Sequence, residues 1–498
     1  MKIKIKKSIL LFFLFVFCIF CISCAGEKKE NEKDKTADIN GEKNDQEVEL
    51  ATGPVLHEMP DKDYNGYEFN FLVKEFDGNG YWGAVDVFAA EENGEPVNDS
   101  VYKRNRIIED RYNINISEVR NTDVAGTARK VISAGTHDYD VIMPNLNSIA
   151  TLATQGLLAD VRENFPYLEL GQVWWDQRAN EMLTLGNRQY FLIGDMTLMA
   201  NDATWVIMFN KKVAEEYAMG NLYAHVKEND WNFDTFFGLV RQVSKDLNGD
   251  GKFDDNDQVG LLTDSGAYTI MIYNTGEMVA KKDQNDLPYL SLNNERTINA
   301  VQQVFDILKD KTISVNAFTD LPHISDPWTN GVNKMFQENK GLFYMLSLTV
   351  MHKMRAMDSD FGVLPFPKLD ASQTEYYHTV QPSTTNSIVF PKTTPDPEMA
   401  SIIIEDMCYE ARDTVRHAYF DITITNKTIR DEESAEMLDL IFSSRIYDLG
   451  FIFNWGSMGY LLETVYPDAG TFVSKYEKAE SKAQAAMEKT IEEVNKIE

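Results

Sequence analysis

Cysteine is nearly missing from the body of this 498-residue chain: Cys18, Cys21 and Cys24 crowd the N-terminus, and only Cys408 lies beyond them. One body thiol cannot close an intramolecular disulfide, so an apolar core must hold the fold, which a chain of this length can supply. Cys408 sits in the helical apolar pattern of Ile403, Ile404 and Met407 and is expected to be a buried structural thiol rather than a nucleophile. Basic charge is also scarce, with 48 Lys and Arg against 78 Asp and Glu and a net charge of −30. No basic footprint is visible that could neutralise phosphates, so nucleic acid is excluded as a partner. The seven histidines (His57, His137, His225, His323, His352, His378 and His417) are scattered with no pair at metal-ligand spacing. H-E-x-x-H, G-x-S-x-G and P-loop signatures are all missing. Carboxylates are abundant, and a glycosidase needs only two at the right separation. An extracellular carbohydrate-active enzyme is therefore the competing class, although nothing marks such a pair; the chain is expected not to be an enzyme. The N-terminal apolar run is short too. Ile9 to Ile22 are 14 residues without a charge, against about 20 for a membrane-spanning helix.

That run follows Lys2, Lys4, Lys6 and Lys7, and a basic flank before a short apolar segment is the pattern of a secretory signal peptide, residues 1–23. The segment Cys21-Ile22-Ser23-Cys24-Ala25-Gly26 resembles a bacterial lipobox, in which a small residue precedes the cysteine that becomes lipidated. The resemblance departs at Cys21, where leucine is usual. It implies a palmitate-type lipid on Cys24 and a protein held at the outer face of the cytoplasmic membrane. Removing residues 1–23 takes away four lysines and no acids, leaving 44 basic and 78 acidic side chains and a charge of −34. Such a body is repelled by an anionic bilayer, which suits tethering without lying flat. Residues 24–62 are Glu, Lys, Asn and Asp-rich, too polar to offset the cost of ordering. They read as a flexible tether with an average reach of about 30–35 Å.

Ordered structure is expected from Tyr67. Tyr67 to Val73 reads as a strand, Val101 to Tyr112 as a helix with Val101, Ile107, Ile108 and Tyr112 inward, and Asn113 to Ile116 as a second strand. Ala125 to Ala134 follows as a helix. Asp138 to Met143, stopped by Pro144, reads as a buried parallel strand. Ile149 to Gln155 is a helix closed by Gly156. From Arg188 the pattern restarts: strands at Gln189 to Gly194 and Thr204 to Phe209, then a helix at Lys211 to Tyr217. Asn232 can cap a helix whose apolar face is Phe233, Phe236, Phe237, Val240 and Val243. Val473 to Glu498 is a polar helix packing one stripe. Alternating strands and helices imply βαβ units and parallel pairing, hence an α/β fold. About 430 residues after the tether make two lobes the natural division.

The sharpest local motif is Asp246-Leu247-Asn248-Gly249-Asp250-Gly251-Lys252-Phe253-Asp254-Asp255-Asn256-Asp257. Calcium takes six to eight oxygens, and a 12-residue loop supplies them from positions 1, 3, 5, 7, 9 and 12 with glycine at 6. Those positions are Asp246, Asn248, Asp250, the Lys252 carbonyl, Asp254 and Asp257, with Gly251 at the turn. Asp257 is shorter than the usual glutamate. A structural Ca2+ is expected. An acid-rich surface turn is the bland alternative, and one such loop is too few for a dockerin.

The ordered pieces together resemble family 1 extracellular solute-binding lipoproteins, the capture subunits of ABC importers, over about Tyr67 to the C-terminus. The resemblance rests on Tyr139-Asp140-Val141-Ile142-Met143, Gln155-Gly156-Leu157-Leu158-Ala159-Asp160, Met208-Phe209-Asn210-Lys211-Lys212 and Trp231-Asn232-Phe233-Asp234. Gln258-Val259-Gly260-Leu261 comes after the acidic loop, then Phe336-Gln337-Glu338-Asn339-Lys340-Gly341 and Phe361-Gly362-Val363-Leu364-Pro365-Phe366-Pro367. It implies a periplasmic-binding-protein-like fold of two α/β lobes with a multi-crossing hinge, at 63–198 with 376–418 and at 199–375 with 419–498. It further implies a monomer that closes on a small solute, expected to be a carbohydrate, and delivers it to permease subunits. A non-sugar solute fits the same architecture. A cell-surface scaffold or adhesin would have no such cleft.

A sugar offers apolar faces to aromatic rings and hydroxyls to Asp, Asn and Ser, and its contacts belong on loops after strand ends. The candidates are Asn145 and Asn147 after Met143, Asp195 after Gly194, and Asn201, Asp202 and Trp205 at the lobe crossing. Ser383, with Thr384 and Thr385, precedes an expected strand Asn386 to Phe390, and Trp455 lies in a glycine-flanked loop. Trp174, Trp175 and Trp231 are expected to be core or lobe-surface anchors; Trp82 and Trp328 are assigned to neither role.

Overall fold

The computed structural model describes residues 57–75, 83–264, 266–420 and 431–496. The expected signal peptide, Cys24, most of the tether and Trp82 lie outside them. Residues 57–498 form one compact unit. Its first sheet is parallel, with the order β2-β1-β3, from β1 (Tyr67–Lys74), β2 (Ile114–Asn121) and β3 (Val141–Met143). Helix α1 (Pro96–Tyr112) makes the first crossover and α2 (Val124–Ala134) the second. Local chemistry sets the bounds of α1. Glu95 accepts from the amides of Val97 and Asn98, Pro96 occupies the first turn where no donor is needed, and Asn113 ends it at φ 49°. Val101, Ile108 and Tyr112 face inward as expected, but Ile107 is 37% exposed. Its neighbour Ile108 takes the inward position, and one residue along a helix turns a side chain by about 100°.

The expected strands at 189–194 and 386–390 are not continuous ladders. They pair by isolated antiparallel bridges, Leu192 with Ile388 and Ile142 with Val389, so the 386–391 segment runs along the open side of β3. Asn145 bridges Asn386 at the end of this run.

The second sheet follows the order β11-β4-β10-β6-β5, with β9 also on β6: β4 (Trp205–Asn210), β5 (Ser244–Lys245), β6 (Gln258–Thr263), β9 (Ser314–Asn316), β10 (Gly341–Ser347) and β11 (Phe361–Leu364). The central strands β4, β6 and β10 are buried along their whole length, as their unbroken apolar sequences require. A hairpin of β7 (Ala280–Lys282) and β8 (Pro288–Leu290) stands apart. Asn232 caps the helix Phe233–Val240, accepting from the Thr235 amide at 3.2 Å, and Phe233, Phe236, Phe237, Val240 and Val243 are all buried. β6 lies so close to this helix that a Cβ on Gly260 would stand 2.0 Å from the Val240 carbonyl oxygen.

Between the sheets the chain passes through short crossings: β12 (His378–Thr379) runs parallel to β13 (Arg445–Ile446), and Thr204 bridges Val380. The C-terminal helix Phe472–Asn495 buries one stripe, Phe472, Tyr476, Ala483, Met487, Thr490 and Val494. Trp174, Trp175, Trp231 and Cys408 are buried, as expected. The last residues of the expected tether are fixed on the body. His57 Nε2 donates to Asp406 (2.9 Å), the ring stacks on Tyr409 and meets Trp174 edge-on, and Lys62 pairs with Glu398 at 2.9 Å. Both acids and Tyr409 belong to the helix Pro397–Ala411.

Candidate ligand-binding site

Strand direction decides which side chains share an end of the second sheet. β4 is antiparallel to β10 with Trp205 opposite Ser347, and β6 is parallel to both β10 and β9. The start of β4 therefore meets the ends of β10, β6 and β9, placing Trp205, Asp264 and Asn316 together at one rim. Asn316 Nδ2 donates to the Asp264 carbonyl at 2.7 Å. Asp264 Oδ1 accepts from the amides of Gly266 (2.9 Å) and Ala267 (3.2 Å), which opens the helix Ala267–Tyr273. The six-membered edge of the Trp205 ring lies about 3.6–3.7 Å from where a Gly266 Cβ would be, so the indole runs beside the start of this helix. Trp205 is 6% exposed, and its Nε1 is buried with no hydrogen-bond partner. Burial pushes the Asp264 carboxyl up to about 6, against the pull of its two amide donors, and Glu463 adds to the rise.

A second polar group comes from the first sheet. β3 ends at Met143, and α3 (Leu146–Thr154) begins after Asn145. Asn145 sits at the N-cap but makes no capping bond; its Nδ2 donates to the Ser383 carbonyl, and its Oδ1 is buried without a partner. The chain at 381–386 is laced to α3 through the Leu146 amide on the Thr385 carbonyl, at 3.1 Å. It is laced to the start of β4 through the Gln381 amide on the Ala203 carbonyl, at 3.0 Å. Asn145, Ser383 and Trp205 are thus joined by short chain connections. Asn147 lies against the Tyr460 hydroxyl, and Glu463, whose carboxyl burial raises, acts on both Tyr460 and Asp264.

The other candidates fall elsewhere. Asn201 accepts from Arg445 at 2.8 Å, and Asp202 accepts from Tyr419 at 2.6 Å with His352 Nε2 at 3.4 Å. Asp195 stands 3.7 Å from Arg416, and burial pushes its carboxyl up to about 7 against Arg416, Arg445 and Arg412. These three belong to a half-buried polar cluster at the crossings, completed by the Arg445–Asp176 pair at 2.8 Å. Trp455 is 3% exposed, donates to Thr490 at 2.9 Å and stacks on Phe453, so its indole N–H serves the C-terminal helix. Sequence reasoning missed Asp264, Tyr460 and Glu463. Asp264 carries the same signal as Asn145, a polar residue directly after a buried strand. Tyr460 and Glu463 follow irregular turns and offer no periodic cue.

In the 246–257 loop the oxygens bind the loop's own amides. Asp246 accepts from Gly249 and Gly251, Asn248 from Asp250, Asp250 from Lys252, and Asp257 from Leu247 and Asp254, at 2.6–3.1 Å. Among the described residues no group of three or more His, Cys, Asp or Glu side chains is arranged to hold a metal ion, and no helix is long and apolar enough to cross a membrane.

A bacterial extracellular solute-binding protein family matches residues 108–436. The chain belongs to that family. Members are binders of extracellular solutes, which gives this chain its location class outside the cytoplasm. Solved structures agree with the mixed α/β fold. A cyclo/maltodextrin-binding protein complexed with maltotetraose aligns at TM-score 0.55 and 15% identity, over 86% of this chain and 99% of that one. UspC of M. tuberculosis aligns at 0.54 and 15%, over 84% and 100%. UgpB of Mycobacterium tuberculosis, in complex with glycerophosphocholine, aligns at 0.52 and 13%, over 86% and 99%. A comparison with curated protein sequences yields no match.

Proposed function

We propose that this solute-binding protein captures a neutral carbohydrate between the Asn145–Ser383 rim and the Trp205–Asp264–Tyr460–Glu463 rim and passes it unaltered to the permease subunits of an ABC importer. One observation carries the reading. The indole N–H of Trp205 and the amide oxygen of Asn145 are buried and unpartnered at the ends of two different sheets. Each such group costs about 1–3 kcal/mol when left unmade. A polyhydroxylated guest supplies an acceptor for the first and a donor for the second, while Asp264 and Glu463 accept from further hydroxyls. The Trp205 ring and Tyr460 offer apolar faces to a pyranose. The maltotetraose complex of the similar structure supports a saccharide.

In this reading 63–198 with 376–418 and 199–375 with 419–498 move as two lobes about the β12–β13 crossings, and the guest favours the closed form. Cys24 bears the lipid that keeps the protein at the membrane. The 246–257 loop takes a Ca2+ whose role is structural, its oxygens exchanging the loop's own amides for the ion. The test is a titration of the mature protein with maltose through maltotetraose, with glycerophosphocholine as the non-sugar arm, followed by melting temperature and calorimetry. Saturable binding of at least one saccharide, recovered intact, is expected; binding only to glycerophosphocholine, or cleavage of the sugar, rejects the proposal. Incorporation of labelled palmitate, lost in Cys24→Ala, tests the anchor.

A further inference from the structure

A second concavity borders this site, its smaller part reaching Asn147. α3 and the C-terminal helix wall a cavity of about 900 Å³ that continues into one of about 310 Å³, the two sharing Thr151, Thr154, Lys489 and Glu493. The larger part has the volume of a small-molecule pocket, but its lining differs from that of the first site. Arg188, Lys392 and Lys489 converge on it from three separate parts of the chain. None of the three makes an ion pair with a described carboxylate. In a chain with 48 basic and 78 acidic residues, three unneutralised cations at one concavity run against the overall charge. Of the acids there, Asp160 is occupied, accepting from the Arg162 and Gln189 amides at 3.1 Å, and Glu493 pairs with Lys496 at 3.3 Å. Asp160 and Glu163 remain as the carboxylates without a cationic partner, two against three. One buried polar oxygen beside the lining residues, Thr393 Oγ1 between Lys392 and Thr394, has no hydrogen-bond partner, and the Tyr190 hydroxyl lies against Arg188.

We propose that this groove is a second binding site, selective for a small phosphate-bearing polyol such as a sugar phosphate. The oxyanion takes Arg188, Lys392 and Lys489, with the fork of Arg188 suited to two phosphate oxygens. Thr151, Thr154 and Asn164 meet the hydroxyls. The first site, framed by Asp264 and Glu463, repels such a solute, so the two sites divide ligands by charge. Glucose 6-phosphate is the probe, with inorganic phosphate and glucose as its two halves, measured by calorimetry on the whole mature chain. One glucose 6-phosphate per chain is expected, displaced by inorganic phosphate and not by glucose. Affinity should drop at least about tenfold in Lys392→Glu/Lys489→Glu and hold in Lys478→Glu/Lys482→Glu, which makes the same charge change on exposed turns of the helix that carries Lys489. Both double variants should keep the maltooligosaccharide response, so failure here and failure of the first site are told apart. Equal losses in the two double variants, no displacement by phosphate, or no saturation by about 10 mM would each overturn the proposal.

Discussion

The indole of Trp205 is buried with its nitrogen unpartnered, and its ring and its N–H give separable predictions. Trp205→Phe removes the unsatisfied donor, worth about 1–3 kcal/mol, while losing some ring contact. The ligand-free melting temperature should therefore hold or rise, and saccharide affinity should fall about tenfold or more. A variant that melts earlier yet binds as before would assign Trp205 to packing alone. Asp264 carries a pH signature. Its carboxyl, pushed up to about 6 by burial, must be ionised to accept from a hydroxyl at full strength. Saccharide affinity should weaken as pH falls through about 6 and lose that dependence in Asp264→Asn, checked by calorimetry across the range. At this scale the sequence exposes only residues at the end of a readable strand. Asn145, Ser383 and Trp205 were legible because each adjoins an apolar run. Tyr460 and Glu463 reach the site by packing of a distant segment. Trp455 looked open between glycines, yet its N–H is taken by Thr490, one turn of a helix more than thirty residues on.

Elements were legible where one helix or strand buries a full face. The Phe233–Val240 helix and β1, β4 and α2 all stand near their expected bounds. The segments at 189–194 and 386–391 have strand-like composition but pair one residue at a time, Leu192 and Ile388 exchanging both amides at 2.9–3.0 Å. Apolar alternation reports burial, not the number of ladder bonds. Contact between elements is sharpest at Gly260, where Gly260→Ala would drive its new carbon into the Val240 carbonyl. Loss of several kcal/mol is expected, with β6 and the Phe233–Val240 helix losing hydrogen-exchange protection together. The 246–257 loop offers a milder test. If calcium completes it, a chelator should lower the melting temperature, added Ca2+ should restore it, and saccharide binding should persist below the transition. No change in melting temperature would leave the loop as a self-bonded turn.

The whole molecule stores acid groups that prefer to be neutral. Burial raises Asp86, Asp195 and Glu405 to about 7 and Asp264 and Asp448 to about 6. Each folded value lies above the unfolded one, so between about pH 4 and 7 the native state holds more protons, and stability falls as pH rises through that window. Relief of repulsion in the acidic body works in the same direction. The melting temperature should be higher near pH 5 than near pH 8. Asp406 opposes this only at the acid end: burial pushes it up, but His57 and Arg111 together bring it below the usual carboxylate value. Its contribution is lost as pH falls through that lowered value. Glu405 is the most instructive member, accepting from the Trp174 and Trp175 indoles at 2.7 and 2.9 Å. Glu405→Gln should flatten part of the pH slope while weakening the body at every pH.

The ring of His57, clamped between Tyr409 and Trp174, also settles where a pull on the upstream chain would be felt. Force would arrive first at Asp406 and Glu398, on a fifteen-residue helix buried along most of its length. β1 begins ten residues further on, behind this fastening. A pull there would reach the helix Pro397–Ala411 before it reached the sheet that Asn145 follows.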